Sequence, residues 1–139
     1  MMPINANHYG SVHGGTILRL VDEAAFVVAT KHARKNVVMA SMDHIVFSHS
    51  VNIGDILTIT ARLCYVGRSS MDVEADIETE KLKLGKTLHV GSAYLTMVAL
   101  DESGKPTEVP GLVLKTKYEK LKSRMVLAKR RKRLLRRSR

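Results

Sequence analysis

The sequence predicts an α+β domain in which one long helix is wrapped by a curved antiparallel sheet. Residues 14–32 are apolar on nearly every side of a helix, a pattern that is typical of a helix buried all round. Two downstream segments, residues 55–66 and 71–80, alternate apolar and polar residues with the period of a strand; one further segment before them and one after them bring the strand count to four, with Gly-containing turns between the strands. Short connections between consecutive strands favour antiparallel pairing, so the sheet is expected to enclose the helix that precedes it.

The clearest strand is "MDVEADIETE", in which apolar residues alternate strictly with acidic and polar ones. Such alternation predicts that one face packs on the core and that the other lies in water. The other strands are predicted within residues 37–47, 55–66 and 87–100. In "MDVEADIETE" the expected inner face consists of Met71, Val73, Ala75 and Ile77, and the expected outer face of Asp72, Glu74, Asp76, Glu78 and Glu80.

Length and composition indicate the number of domains and the cellular location of the chain. The chain has 139 residues, enough for one core but not for two ordinary domains. A single cysteine, Cys64, rules out an intrachain disulfide and a cysteine-based metal cluster. No apolar run has the length of a membrane span, and the N-terminus lacks the basic flank and apolar stretch of a secretory signal, so a cytoplasmic location is expected.

The net charge of +10 is concentrated at the C-terminus, where residues 115–139 hold 13 Lys and Arg against one acid. We therefore divide the chain into a body, residues 1–113, and a basic C-terminal helix and tail, residues 114–139. The final "KRRKRLLRRSR" could bind nucleic acid or an anionic membrane, but a solvated end is favoured because no aromatic residues are interleaved. An apolar stripe at helical spacing, expected to dock on the body, consists of Leu114, Tyr118, Leu121, Met125 and Ala128.

The stretch "HYGSVHGGTILRLVDEAA" places a glycine pair before the long helix and two carboxylates inside it. The amides of Gly14 and Gly15 lie where unpaired donors meet the positive end of the helix dipole, so they could stabilise developing negative charge. Asp22 interrupts an apolar surface, and a buried carboxylate is costly enough that it usually has a task. Glu23 has a simpler interpretation, an ion pair with Arg19 four residues earlier.

Other catalytic chemistries find little support in the sequence. The six histidines match no zinc template, and no metal site is predicted. Cys64 lies in the middle of a strand, and no Gly-x-Ser-x-Gly elbow is present, so neither a cysteine nor a serine nucleophile is indicated.

The segments "NANHYGSVHGG", "LVDEAA" and "AYLTMVALDESGKP" occur in an order that resembles the hotdog-fold acyl-CoA thioesterases, specifically the acyl-CoA hydrolase branch that includes the cytosolic long-chain acyl-CoA hydrolase. The resemblance extends from about Asn5 to Pro110 and implies hydrolysis of fatty acyl-CoA to free fatty acid and CoA. Relatives carry a strand before the Asn motif, whereas only a few residues precede that motif here, so an edge of the sheet is expected to be bare or filled by a neighbour.

The resemblance also implies roles for individual residues. Asp22 would act as general base on a water, which we favour, or as nucleophile, while Gly14 and Gly15 polarise the thioester carbonyl. Asn7 resembles a family position that shapes the turn or orients substrate. Ser11 stands where some relatives have a catalytic Asn, and its hydroxyl could still position water.

Coenzyme A enters as part of substrate and product, and no further cofactor is required. Candidates to contact its phosphates are Arg68, Ser69 and Ser70 at a strand turn, with Lys105 less favoured; a polar turn without a ligand explains them equally well. Sites in this family usually form between two protomers, which implies a homodimer or a larger tetramer or hexamer.

Two other functions remain open at this point. One is a non-catalytic hotdog module that senses acyl-CoA and binds nucleic acid through its basic tail. A hotdog dehydratase is weaker, because those relatives use a catalytic His on or before the helix and His13 lies in another motif context. The length of the preferred acyl chain depends on how the tunnel beside the helix is closed.

Overall fold

A computed structural model describes residues 14–43, 46–111, 124, 125 and 128. One helix is followed by four strands that form a single antiparallel sheet in the order β1-β4-β3-β2. The predicted α+β architecture and strand count are thus confirmed. The elements are α1 (Gly14–Ala33), β1 (Asn36–Met42), β2 (Ile56–Val66), β3 (Ser70–Lys81), a 3₁₀ turn (Leu82–Leu84) and β4 (Lys86–Leu100).

The sheet curves because its ladders contain bulges. The register shifts between Met39 and Ser41 on β1 and between Leu63 and Tyr65 on β2, and β3 also shifts against β4 after Ile77. An extra residue on one strand bends that strand and increases the local twist. The sheet can therefore follow the surface of α1.

Helix α1 packs on this sheet through a stripe of mostly small side chains spaced four residues apart. Small residues bring the helix backbone close to the strands, and the larger strand residues then fill the core. The stripe consists of Ile17, Val21, Ala25, Ala29 and Ala33.

The expectation that α1 is buried all round is wrong for the single chain. Phe26 is 47% exposed and Val27 is 53% exposed. Four strands cover only one side of the helix, so the apolar residues on its opposite side remain open. An uncovered apolar surface of this kind is typical of an interaction site.

The outer face of β3 corrects a second expectation. The alternation of faces is as predicted, but Asp72 and Glu74 are each only 3% exposed, whereas Glu78 further along the strand is exposed. The polar face is therefore not uniformly in water. The alternation determines which face a side chain takes but not what covers that face.

Residues 101–111, which follow β4, cross the C-terminal end of α1, and we call this segment the strap. Thr107 N–H donates to the carbonyl of Ala99, and Val109 N–H donates to the carbonyl of Arg68. The ring of His32 near the end of α1 lies 2.7 Å from the carbonyl oxygen of Pro110. The strap therefore ties helix and sheet together at one end of the fold.

A buried ion pair fastens the connection before β2. Lys81 Nζ binds Asp55 Oδ2, and both side chains are largely buried. Burial alone would raise the pKa of Asp55, but hydrogen bonds from Lys81, the Asn52 amide and Thr79, together with the Lys81 charge, hold it below its ordinary value.

Most of the predicted C-terminal helix lies outside the described residues. Arg124, Met125 and Ala128 are helical and exposed, so Met125 is not buried against this chain as the stripe predicted. Within the described part of the chain, no helix is long and apolar enough to cross a membrane.

Candidate active site

The glycine pair forms the start of α1 in the described chain. A Cβ added to Gly14 would lie 3.2 Å from the ring of Phe47, so this position tolerates a side chain only if the ring moves. Gly15 is exposed and has open space around it. The amides of the first turn have no partners within the helix, and the dipole makes this end positive. The geometry suits a negatively charged oxygen.

Asp22 lies two turns further along α1, beside the buried Val21, and its side chain is half-buried. The adjacent Glu23 is exposed, as is Arg19. The predicted ion pair between these two residues does not form among the described side chains. Of the two carboxylates, Asp22 is the one held at the boundary between core and surface.

The helix start and Asp22 of one chain are too far apart to serve one carbonyl group. Gly14 and Asp22 are eight residues apart, which is about 12 Å along the helix axis. A thioester oxygen at the first-turn amides is then out of hydrogen-bond reach of the same chain's Asp22. A site that uses both groups needs Asp22 from a second copy.

Asp22 shares its face of α1 with an exposed apolar side chain. Phe26 follows it by four residues and shares its face of the helix. Exposed apolar residues also occur on and after β1, including Val38, Met39 and Phe47. This open surface is where a second copy could bury Asp22 more deeply.

The candidate residues for coenzyme A lie at the opposite end of α1, in the β2–β3 turn. Arg68 Nε donates to Glu108 Oε1 at 3.1 Å, and both side chains are largely exposed. The backbone carbonyls of Ser69 and Ser70 accept hydrogen bonds from the Ala99 and Gly67 amides. Backbone hydrogen bonds hold the turn rigidly, while the Arg68 guanidinium remains in solvent.

A cleft of about 680 Å³ opens beside this turn. Lys35 lines it, with Nζ donating to the Glu108 carbonyl at 2.8 Å. The sequence analysis did not identify Lys35, because its proximity to Arg68 depends on how the strap folds back. The one available signal was the position of a cation just after the end of a helix, where positive charge is favourable. The other lining residues are Arg68, Ser69, Pro106, Thr107 and Glu108.

Lys105 lies in the neighbouring turn but outside this lining. Its backbone N–H donates to Asp101 Oδ1 at 3.0 Å, which closes the turn after β4. Two other predicted site residues, Asn7 and Ser11, lie outside the described part of the chain.

The three described histidines, His32, His49 and His89, and the cysteine make structural contacts. His89 Nε2 lies 3.3 Å from Ser92 Oγ, but that hydroxyl donates to Asp76, so the three groups do not form a nucleophilic relay. Cys64 is buried and its thiol lies 3.4 Å from the Asp72 carbonyl. Among the described residues, no group of three or more His, Cys, Asp or Glu could hold a metal ion.

Among known proteins with similar sequences, some are named as acyl-CoA thioester hydrolases. Over 119 residues the chain is 37% identical to protein VdlD of Helicobacter pylori, covering 86% of this chain and 68% of that one. It is 36% identical over 120 residues to the cytosolic acyl coenzyme A thioester hydrolase of Rattus norvegicus, covering 85% of this chain but only 32% of that protein. The chain thus spans about a third of the mammalian relative's length.

Solved structures agree in fold. An apo-hexameric acyl-CoA thioesterase superposes with a TM-score of 0.92 at 37% identity, covering 98% of this chain and 87% of that one. An acyl-CoA hydrolase of Staphylococcus aureus, solved with butyryl coenzyme A and coenzyme A, superposes with a TM-score of 0.88 at 36% identity and covers 99% and 84% of the two chains. A family model described as the thioesterase superfamily matches residues 9–86, more than half of the sequence. With a helix packed against a four-stranded antiparallel sheet and a glycine pair opening that helix, the chain belongs to the thioesterase superfamily and has the hotdog fold.

Proposed function

We propose that this protein hydrolyses the thioester of fatty acyl-CoA, releasing a free fatty acid and coenzyme A. The observation that carries the proposal is Asp22, a half-buried carboxylate in the apolar helix of a thioesterase-superfamily chain. A carboxylate at such a boundary keeps access to water while its apolar neighbours limit solvation, which suits a base.

Variants of the Staphylococcus aureus enzyme support the choice of residues. Solved forms replace an aspartate, an asparagine or a threonine by alanine. The first two are 15 residues apart in that chain, which is also the separation of Asn7 and Asp22 here. The threonine follows the aspartate by 17 residues, a separation that leads to Met39 here, which has no hydroxyl.

In the proposed reaction, the first-turn amides of Gly14 and Gly15 bind the thioester carbonyl oxygen, and Asp22 of a second copy takes a proton from a water. The water oxygen attacks the carbonyl carbon, and the amides stabilise the resulting oxyanion. Collapse of the tetrahedral intermediate breaks the carbon–sulfur bond, and the proton held by Asp22 passes to the leaving thiolate. Asn7 would orient the substrate, and Ser11 would position the water.

The cleft between Arg68 and Lys35 is the proposed place for the phosphates of coenzyme A. Two cations beside a held turn offer charge-assisted hydrogen bonds to phosphate oxygens, although the Glu108 carboxylate partly neutralises Arg68. Ser69 and Ser70 would add hydrogen bonds at the turn. Lys105 is a weaker candidate, because it lies outside the lining of the cleft. From Asp22 to Ala33 at the end of α1 is about 17 Å, a distance that the pantetheine arm would have to bridge.

We further propose a homo-oligomer of at least two chains in the cytosol. The separation of the helix start from Asp22 requires a second copy, and the open apolar surface around Phe26 could accommodate it. Two neighbouring structures are described as hexameric, and the mammalian relatives as cytosolic. The alternative sensor of acyl-CoA depends on a tail that lies mostly outside the described residues, so no observation favours it.

The deciding measurement is release of free thiol from acyl-CoA substrates over a series of chain lengths from acetyl to palmitoyl. We expect turnover on at least one of them without added metal or cofactor. A folded oligomer that binds acyl-CoA but releases no thiol from any of these substrates would refute the enzyme and favour the sensor.

A further inference from the structure

One aromatic side chain lies against the start of α1 without belonging to the core. Phe47 is 38% exposed, and the apolar cluster between helix and sheet does not include it. Its ring carbon Cε2 lies 3.2 Å from the position that a Cβ on Gly14 would take. The backbone of Gly14 is not in the left-handed region, so contact with the ring, and not the backbone conformation, is what opposes a side chain there.

The ring of Phe47 points an edge at this glycine. The two ring carbons bonded to Cε2, which are Cζ and Cδ2, lie 3.9 and 4.0 Å from the same Cβ position, clearly farther than Cε2 itself. A ring lying flat against the glycine would hold all three carbons at more similar distances. The edge of an aromatic ring carries partial positive charge. The ring edge and the positive end of the helix dipole therefore act in the same direction on a bound oxyanion.

The backbone on both sides of Phe47 is held to β4. Asp43 N–H donates to the carbonyl of Tyr94 at 2.9 Å, and Ser48 N–H donates to the carbonyl of Val90 at 2.7 Å. These hydrogen bonds position the ring at the helix start before any substrate arrives. A group that is already in place costs less conformational entropy when a ligand binds against it.

The proposed reaction brings a thioester carbonyl to the same glycine. An oxygen bound to the first-turn amides at about 2.9 Å shares Gly14 with the ring, so the groups on the carbonyl carbon come close to the ring. Of these two groups, the acyl chain is apolar and the pantetheine arm carries amides. The apolar ring suits the acyl chain, because burying an amide there without a hydrogen-bond partner would be costly.

We propose that Phe47 forms a wall of the site beside the acyl carbon next to the carbonyl, and that it selects acyl groups that are unbranched at that carbon. The ring has to move to admit one methyl group on Gly14, and a methyl branch on a substrate beside that glycine meets the same obstacle. Phe47 is then a specificity-determining residue. This inference rests on the proposed hydrolysis of acyl-CoA at Gly14 and Gly15.

Butyryl-CoA and isobutyryl-CoA test this wall, because they have the same composition and differ only in a branch at the carbon next to the carbonyl. We expect the kcat/KM of the wild-type protein to favour butyryl-CoA by at least about tenfold, the scale on which a pocket distinguishes one methyl group. Phe47→Ala should abolish most of this preference, whereas Val46→Ala, at the adjacent and 71% exposed residue, should retain it. A loss of packing alone would lower kcat/KM for both substrates in proportion. An unchanged preference in Phe47→Ala, or equal kcat/KM for both substrates in the wild type, would overturn the proposal.

A double variant tests the contact between ring and glycine itself. Gly14→Ala adds the methyl group that the ring opposes, and the resulting displacement should lower kcat/KM for butyryl-CoA by at least about tenfold. Adding Phe47→Ala should restore part of that loss, because the new methyl group takes space that the ring has left. Thermal unfolding reports the fold of each variant. A folded double variant as impaired as Gly14→Ala would refute the wall.

Ketone analogues of both substrates, in which a methylene group replaces the sulfur, separate this inference from the activity. Their dissociation constants, measured by calorimetry, should show the same preference for the unbranched group and its loss in Phe47→Ala. A wild-type protein that releases no thiol from either thioester refutes the proposed hydrolysis, and the ketones then decide the role of Phe47. In that event, equal binding of the two ketones by the wild type would refute the wall as well.

Discussion

The two sides of α1 differ in what completes them. One side is a stripe of small residues, such as Ala25 and Ala29, that is fully buried against the chain's own sheet. The other side holds Asp22, Phe26 and Val27, which this chain leaves half-buried or exposed. The first side is complete in one copy. The second side presents a carboxylate and an apolar surface, which the proposed second copy would cover.

Mutations in this helix can therefore separate stability from reaction. Substitutions on the covered side should change the free energy of unfolding, since packing there is dense. Substitutions on the open side should change activity or assembly while the single chain keeps its fold.

The largest expected effect is that of Asp22→Asn on turnover. The amide keeps the size of the side chain but cannot accept a proton from water, so kcat should fall between about 10²- and 10⁴-fold. Thermal unfolding should be nearly unchanged, because Asp22 is only half-buried. The neighbouring exposed Glu23→Gln is the matched control and should keep its rate. Wild-type kcat in Asp22→Asn would remove the basis of the proposed mechanism.

Next in size is the effect of Phe26→Asp on assembly. A charge in the middle of the open apolar surface should oppose burial against a second copy, because an unpaired charge is costly to bury. We expect a shift toward monomer in light scattering and loss of activity with it. Leu84→Asp, at an equally apolar but remote and more exposed site, controls for the charge itself. A fully assembled and active Phe26→Asp protein would show that the open side is not the interface.

The sequence predicted the elements and the faces that pack on the core much better than it predicted which surfaces are covered. Element order, strand count and the inner face of β3 follow from local periodicity, which is strong in long segments. Exposure depends on what lies against a face, and neither the open side of α1 nor the buried Asp72 could be inferred from alternation alone. Lys35 was missed for the same reason, since the strap that brings it to Arg68 carries no local signal.

On the covered side of α1, Ala25→Leu is expected to act on stability. The added atoms have no room between helix and sheet, and overpacking of this kind costs about 1–3 kcal/mol in the free energy of unfolding. Chemical denaturation should report the loss, while Val27→Leu on the open side should cost little. Equal destabilisation by both substitutions would mean that the two sides of the helix are packed alike.

The smallest expected effect concerns the cleft at the C-terminal end of α1. The measurement there distinguishes a role in substrate binding from a role in the reaction. Arg68→Gln with Lys35→Gln removes both cations that line the cleft, so the phosphates of coenzyme A should bind less tightly. The side chain of Arg68 is largely exposed, and an exposed charge pair contributes at most about 1 kcal/mol, so KM should rise roughly fivefold while kcat stays near its original value. Lys83→Gln, on an exposed turn at another place on the sheet, should leave both constants unchanged. If kcat fell together with kcat/KM and KM did not rise, the cations would act on the transition state, and the cleft would be part of the reacting site rather than a place that holds the substrate.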